Sequence, residues 1–337
     1  MDDFFDHEDD SNDLNELLER FEKMLSDGMH FYYDSEEYED IIDYYLNLNK
    51  LKLATKAVNL GLEQYPDNTN LQIRKARLFA ASNKAEKALK ILAEIEIIDP
   101  TNSDIYITKG AIYSKLHRSD EAIKEYNKAI NEHEDVVGIL TNIAYEYENI
   151  ANYEKAIEYF KRIMEIDPDN EAAISELAFC FDIDGKLVDS IAYFTAFLDK
   201  HPYAHQVWYN LGIAYNELGL YEKAVDAYDF SIAIKPDIIW VYYNKATSLS
   251  NMELHSMAAE TYKATFDFEQ PTALTNYLIG ECYEKMERFP LTIEYFRKAI
   301  QVDPHFSDAW IGLGVAYEEM DDIKSALYCL KKGVSQD

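Results

Sequence analysis

Prolines fall at residues 66, 100, 168, 202, 236 and 304, and every interval between them is 34 or 68. A period of this size constrains the chain more than its composition does, because it calls for a stack of like supersecondary units rather than one closed core. With that proline set at position 32, repeats begin at 35, 69, 103, 137, 171, 205, 239, 273 and 307. Other positions test the frame independently. Position 8 is Ala or Gly in every window except the first, which has Ile42. Position 20 is Ala, Ser or Thr throughout, from Ala54 to Ala326. Position 11 is aromatic (Tyr45, Phe79, Tyr113, Tyr147, Phe181, Tyr215, Tyr283, Tyr317) with Leu249 the exception. The period is therefore a packing code.

Each window holds two helical patterns split by a short polar turn. In "VWYNLGIAYNELGLYEKAVDAYDFSIAIKP", Trp208, Leu211, Gly212 and Tyr215 form an i, i+3, i+4, i+7 face. Ala224, Val225, Tyr228 and Ile232 form a second one, and Pro236 marks the exit, where a helix interior cannot continue. The pattern Trp208-x2-Leu211-Gly212-x2-Tyr215, then Ala224, Tyr228 and Pro236, resembles the tetratricopeptide repeat (TPR), and the resemblance covers residues 35–337. It implies an all-α, right-handed superhelical solenoid of about nine helix-turn-helix repeats with no catalytic domain. The array departs from the pattern at Ile42, in repeat 103–136, which lacks the proline, and at Pro271, which is displaced.

Charge divides the chain. Residues 1–47 hold 17 acids and two bases, a net −15, against −16 for all the rest. We expect residues 1–12 to be a disordered acidic tail. Residues 13–34 should form a capping helix and linker, because Leu14, Leu17, Leu18, Phe21, Met24 and Leu25 make one apolar stripe; a partner-docking helix is the other reading of that stripe. At the other end, Trp310, Ile311, Val315 and Leu327 are expected to be partly open, and self-association into a homodimer there is one reading. A net charge of −31 argues against nucleic-acid and anionic-membrane partners, whose affinity comes from Lys and Arg. The acidic start does not read as an export signal, and Cys180, Cys282 and Cys329 are too widely spaced for a disulfide framework or zinc site. A cytoplasmic location is the expectation.

No constellation for chemistry emerges. His201 and His205 are separated by Pro202 at a repeat junction, so they do not share a helix face. "DIDGKLVD" at 182–189 lacks the further oxygen ligands and closing Glu of a calcium loop. No glycine-rich phosphate loop is present. We expect a non-enzyme with no cofactor and no metal.

The family resemblance implies that positions 2, 5, 6, 9, 12 and 13 point into a concave groove. It also supplies a known ligand mode, a carboxylate clamp with Lys at position 5 and Asn at position 9. Neither residue type occurs there in this chain. The groove instead offers rings: Tyr145, Phe179, Tyr209, Tyr243 and Tyr277, with Trp240 at position 2. Asn142, Asn210 and Asn244 could bond a peptide backbone, and Glu148, Asp182, Glu217, Glu281 and Glu284 supply negative charge. Arg74 and Arg77 are the basic pair, suited either to an anionic ligand or to the chain's own acidic start. The expected function is a protein-interaction scaffold that binds a peptide or helical segment carrying basic and apolar residues. The alternative is an acidic nucleic-acid mimic or holding chaperone for basic proteins, acting through residues 1–47.

Overall fold

The computed structural model describes residues 3–27, 31–130, 133 and 135–336, and among these it is helical with no strand. A long first helix, α1 (Asp3–Asp27), precedes nine helix pairs. The pairs are α2 (Ser35–Asn47) with α3 (Leu51–Gln64), α4 (Thr69–Ala81) with α5 (Ala85–Ile98), and α6 (Ser103–Lys115) with α7 (Ser119–Ala129). Then come α8 (Val136–Asn149) with α9 (Tyr153–Ile166), α10 (Glu171–Ile183) with α11 (Leu187–Leu198), and α12 (His205–Glu217) with α13 (Tyr221–Ile234). The last are α14 (Ile239–Asn251) with α15 (His255–Ala264), α16 (Ala273–Lys285) with α17 (Phe289–Val302), and α18 (Ser307–Glu319) with α19 (Ile323–Val334). We call the two members of a pair its A and B helix. The chain forms two compact units, residues 1–162 and 163–337.

The turn inside every pair is the same. Its central residue takes a left-handed conformation, at Asn49, Asn83, His117, Ala151, Gly185, Gly219, Glu253, Glu287 and Asp321, with φ between 54° and 71°. The next residue's N–H then donates to the carbonyl five residues back, as in Lys50 to Tyr45 (2.8 Å) and Asp322 to Tyr317 (2.9 Å), so carbonyls orphaned at the helix end are satisfied. In "DIDGKLVD" it is Gly185 that takes this turn position.

The periodic prolines also gain a second role. Their carbonyls accept hydrogen bonds from the position-4 side chain six residues on: Gln72 to Pro66 (2.9 Å), Tyr106 to Pro100 (2.8 Å), Trp208 to Pro202 (2.8 Å), Tyr242 to Pro236 (2.9 Å) and Trp310 to Pro304 (2.9 Å). Proline thus ends the B helix, and its carbonyl anchors the next A helix.

Small residues at position 8 make room for a buried ring of the B helix. A Cβ added at Gly110, Gly212 or Gly280 would lie 2.5 Å from Tyr126, Tyr228 or Phe296 respectively, closer than packed carbons approach. The position-20 alanines, Ala54, Ala88, Ala122, Ala156, Ala224, Ala258 and Ala326, are buried, as are Cys180, Cys282 and Cys329.

The first helix is longer than the sequence suggested. Helix α1 runs from Asp3, ahead of the expected capping segment at 13–34; residues 1–2 lie outside the described part. Further on, Leu17, Leu18 and Phe21 of the predicted stripe are buried against the first unit, with the Phe21 ring 6.1 Å from Tyr33 and 6.0 Å from Tyr45.

Candidate functional site

On the A-helix face of the second unit, α10 and α12 leave a cleft of about 210 Å³ between them. Ala178, Leu187, Ile213 and Ala214 supply its apolar walls, and Phe179 stands at it with 49% of its surface exposed. Asp182 and Glu217 also line the cleft, and neither forms an ion pair among the described residues. Apolar walls beside two carboxylates suit an aliphatic or aromatic side chain with a cationic neighbour. Sequence reasoning placed Phe179, Asp182 and Glu217 on this face but passed over Ile213, although apolar residues at position 9 of adjacent repeats were a readable signal.

The tyrosines serve the fold more than they face solvent. Tyr209 is half-buried; its hydroxyl accepts from Asn244 Nδ2 at 2.9 Å, and burial raises its pKa. Tyr243 shares a short hydroxyl–hydroxyl bond with Thr275, and its ring meets Tyr262 edge-on at 5.5 Å. Tyr277 stacks on Phe296 (5.4 Å) and donates to Glu281 Oε1 at 2.9 Å; burial and that carboxylate together raise its pKa. Asn244 is thus engaged with Tyr209 rather than free for a peptide. Asn210 is buried and donates to Gln206 O of its own helix at 2.9 Å. Trp240, by contrast, is 56% exposed.

Further along the same unit, Glu284 has its pKa raised by burial and by the nearby charges of Glu281 and Glu319, with Lys285 opposing. These groups give a second concentration of negative charge, on α16 and α18.

Tyr145 and Asn142 belong to α8 in the first unit. Asn142 is exposed, and the Tyr145 ring meets Phe160 edge-on at 5.9 Å. The arginine pair is there too, held by the acidic start of the chain. Arg74 is only 13% exposed and binds Glu39 (2.9 Å) and Asp43 (2.8 Å). Arg77 approaches Asp43 (3.6 Å) and Asp104 (3.9 Å) and donates to Thr108 Oγ1 (3.3 Å). Beside this mesh, α1 and α2 enclose a larger cleft of about 710 Å³ lined by Asp13, Glu16, Glu37, Asp40 and Asp43, with Leu14, Leu17, Tyr44 and the cation Arg20. Burial raises the pKa of Asp40, with Arg74 opposing and Asp43 and Glu36 adding to the rise.

Models of the tetratricopeptide repeat match residues 103–132, 137–170, 205–238 and 273–306. The chain carries tetratricopeptide repeats. A crystal structure of the C-terminal part of a TPR repeat-containing protein from Cytophaga hutchinsonii is similar at 17% identity, covering 72% of this chain and 99% of that one, with a TM-score of 0.54. That likeness shows the fold of this TPR protein and nothing further. MamA from Desulfovibrio magneticus RS-1 is similar at 21% identity over 60% of this chain and 95% of its own, with a TM-score of 0.41. YrrB, described as a TPR protein with an unusual peptide-binding site, is similar at 22% identity over 56% and 97%, with a TM-score of 0.39. Neither of these two carries an argument about this chain. No curated protein matches it by sequence. No helix among the described residues is long and apolar enough to cross a membrane.

Proposed function

We propose that this TPR protein is a non-enzymatic interaction scaffold whose second unit binds a partner segment, extended or helical, that carries apolar and basic residues. The observation that carries this reading is the cleft between α10 and α12, where Phe179 and Ile213 flank an apolar floor and Asp182 and Glu217 stand beside it. Burial of an apolar side chain supplies affinity, and the carboxylates supply steering and sign selectivity. Phe179 and Trp240 are the aromatic anchors in this reading. Tyr209, Tyr243 and Tyr277 set the spacing of the A helices.

A displayed-peptide selection on the folded protein tests it. Enriched sequences should combine apolar and basic residues, and Phe179→Ala should weaken them by about tenfold, or ~1.4 kcal/mol. Tyr243→Phe should leave affinity unchanged. Peptides that bind Phe179→Ala and Asp182→Asn/Glu217→Gln as tightly as wild type would sink the reading.

The cleft between α1 and α2 favours the second reading, in which residues 1–47 hold basic proteins. Deleting the segment would be a poor test, because Phe21 is part of the core. Neutralising Asp13, Glu16 and Asp40 together is better. Loss of basic ligands from that variant, with Phe179→Ala unaffected, would transfer the function to the first unit.

A further inference from the structure

Two polar groups interrupt the apolar floor of the cleft between α10 and α12: Ser190 of α11 and Asn210 of α12, only 2% and 7% exposed. Position 20 is alanine in seven of the nine repeats, and Ser190 and Thr292 are the exceptions. The two hydroxyls are used differently. Thr292 Oγ1 donates to Arg288 O of its own helix at 3.3 Å, the usual outlet for a hydroxyl inside a helix. The Ser190 hydroxyl makes no hydrogen bond among the described residues, and Ser190 lines the cleft. A buried hydroxyl without a partner costs stability, and the alanine found at this position elsewhere would avoid that cost. Asn210 Nδ2 donates to Gln206 O, which leaves its Oδ1 as an unused acceptor in the same cleft.

The remaining polar lining sets the sign of the ligand. Ser175 Oγ is engaged, accepting from Gln206 Nε2 at 3.2 Å and donating to Glu171 O at 2.9 Å. Asp182 and Glu217 are not engaged, and their carboxylates only accept. The unused groups are therefore four acceptors, two of them charged, beside apolar walls. They match a side chain with an apolar stem and a head that only donates, which means Lys or Arg. Arginine fits better. Its planar head spreads five N–H donors, enough to reach acceptors on separate helices, and it stacks on rings such as the half-exposed Phe179. It is also more weakly hydrated than an ammonium, so it costs less to seat against buried groups.

We propose that this cleft is a pocket for one arginine side chain of the partner segment, an assignment that rests on the binding reading above and names what enters. The stem lies along Ile213 and Ala214, Phe179 is the aromatic wall, and the guanidinium is shared among Ser190, Asn210, Asp182 and Glu217. Ser190 sets the specificity, since a site built to hydrogen-bond its ligand discriminates against analogues that cannot reply.

The test uses the full chain with labelled Ile and Ala methyl groups, and n-propylguanidinium, the arginine side chain freed of its backbone. Its comparators are n-butylammonium for lysine and p-cresol for tyrosine. Saturable shifts at the Ile213 and Ala214 methyls are expected, with both comparators binding several-fold more weakly. Ser190→Ala installs the residue that seven repeats carry, and unaltered melting would verify its fold. It should weaken n-propylguanidinium several-fold and narrow its advantage over n-butylammonium. Asp182→Asn/Glu217→Gln should weaken both cations by about tenfold or more. Absence of saturable shifts, tighter binding of either comparator, or indifference to Ser190→Ala would overturn the proposal. Peptides from the displayed selection separate its failure from that of the binding reading. Peptides that need Phe179 but tolerate citrulline in place of every arginine would remove the arginine assignment and keep the cleft as a partner site. Peptides indifferent to Phe179→Ala and to Asp182→Asn/Glu217→Gln would remove both.

Discussion

In the first unit, the A helices α2, α4 and α6 are tied together mainly by charge; in the second, α12, α14 and α16 are tied by hydroxyls and amides. Asp43 of α2 holds Arg74 and Arg77 of α4, and Arg77 reaches on to Asp104 of α6. The equivalent links in the second unit run from Asn244 to Tyr209 and between Tyr243 and Thr275, with no ion in either. The two solutions leave different things over. Where arginines bridge the helices, the acids they touch are committed to the fold. Where tyrosines bridge them, Asp182, Glu217 and Glu284 keep their charge for a ligand. This difference supports the proposal that the second unit reads a basic partner, even though both faces carry many carboxylates.

The comparison breaks most readily at Arg74. Replacing it by Met removes the cation but leaves Glu39 and Asp43, and Glu39 is as little exposed as Arg74 itself. A charge left unpaired in a poorly solvated place costs more than the pair contributed, so a loss of about 2–3 kcal/mol is expected, below the range for fully buried pairs. Hydrogen exchange should locate the loss in α2 to α6 and leave α12 to α18 protected as before. Adding Glu39→Gln should recover part of it. Uniform loss across both units, or none, would mean that the mesh does not hold the first unit's A helices.

Asn244→Ala makes the matching cut in the second unit and should cost about 1 kcal/mol, the net worth of a neutral hydrogen bond. Salt separates the two variants. The Arg74 effect should shrink as salt screens its ion pairs, while the Asn244 effect should not move. If both respond to salt alike, the chemical distinction between the units is wrong.

Much of this was readable beforehand, and the reasons differ by feature. Positions 8, 11 and 20 repeat because every helix pair faces the same steric demand, as Gly280 beneath Phe296 illustrates. The left-handed turn was partly hidden: Gly185 and Gly219, and less strongly Asn49, Asn83 and Asp321, advertise it, but His117, Ala151 and Glu253 adopt the same conformation without a residue type that strongly favours it. The bonds from position 4 to the proline carbonyl were legible in principle as a donor six residues after five of the six periodic prolines, Ile174 after Pro168 being the exception. The site was harder. Groove positions follow from the repeat, but whether a tyrosine faces a ligand or a neighbour depends on a residue 32 to 35 places away, such as Thr275 for Tyr243 or Asn244 for Tyr209. Single-sequence periodicity does not report such pairings.

The smallest expected effect concerns Glu284, and it tests whether the second unit really keeps uncompensated charge. Its pKa is raised above the ordinary 4.5 first by burial and then by Glu281 and Glu319, with Lys285 acting against them. A carboxyl whose folded-state pKa is raised contributes stability below its unfolded pKa and loses that contribution as pH climbs through the folded value. Glu284→Gln, which stays neutral, should therefore match wild type in acid below the ordinary carboxylate range. It should become the more stable protein as pH rises toward neutrality. Salt should trim only part of the difference, because the leading cause is burial rather than repulsion. A basic ligand seated beside Glu284 should reverse the sign, since the ionised carboxylate then gains a partner that Gln cannot replace. Wild type and variant with parallel stability profiles across this range would show that Glu284 is already compensated, and the contrast between the two units would lose its electrostatic half.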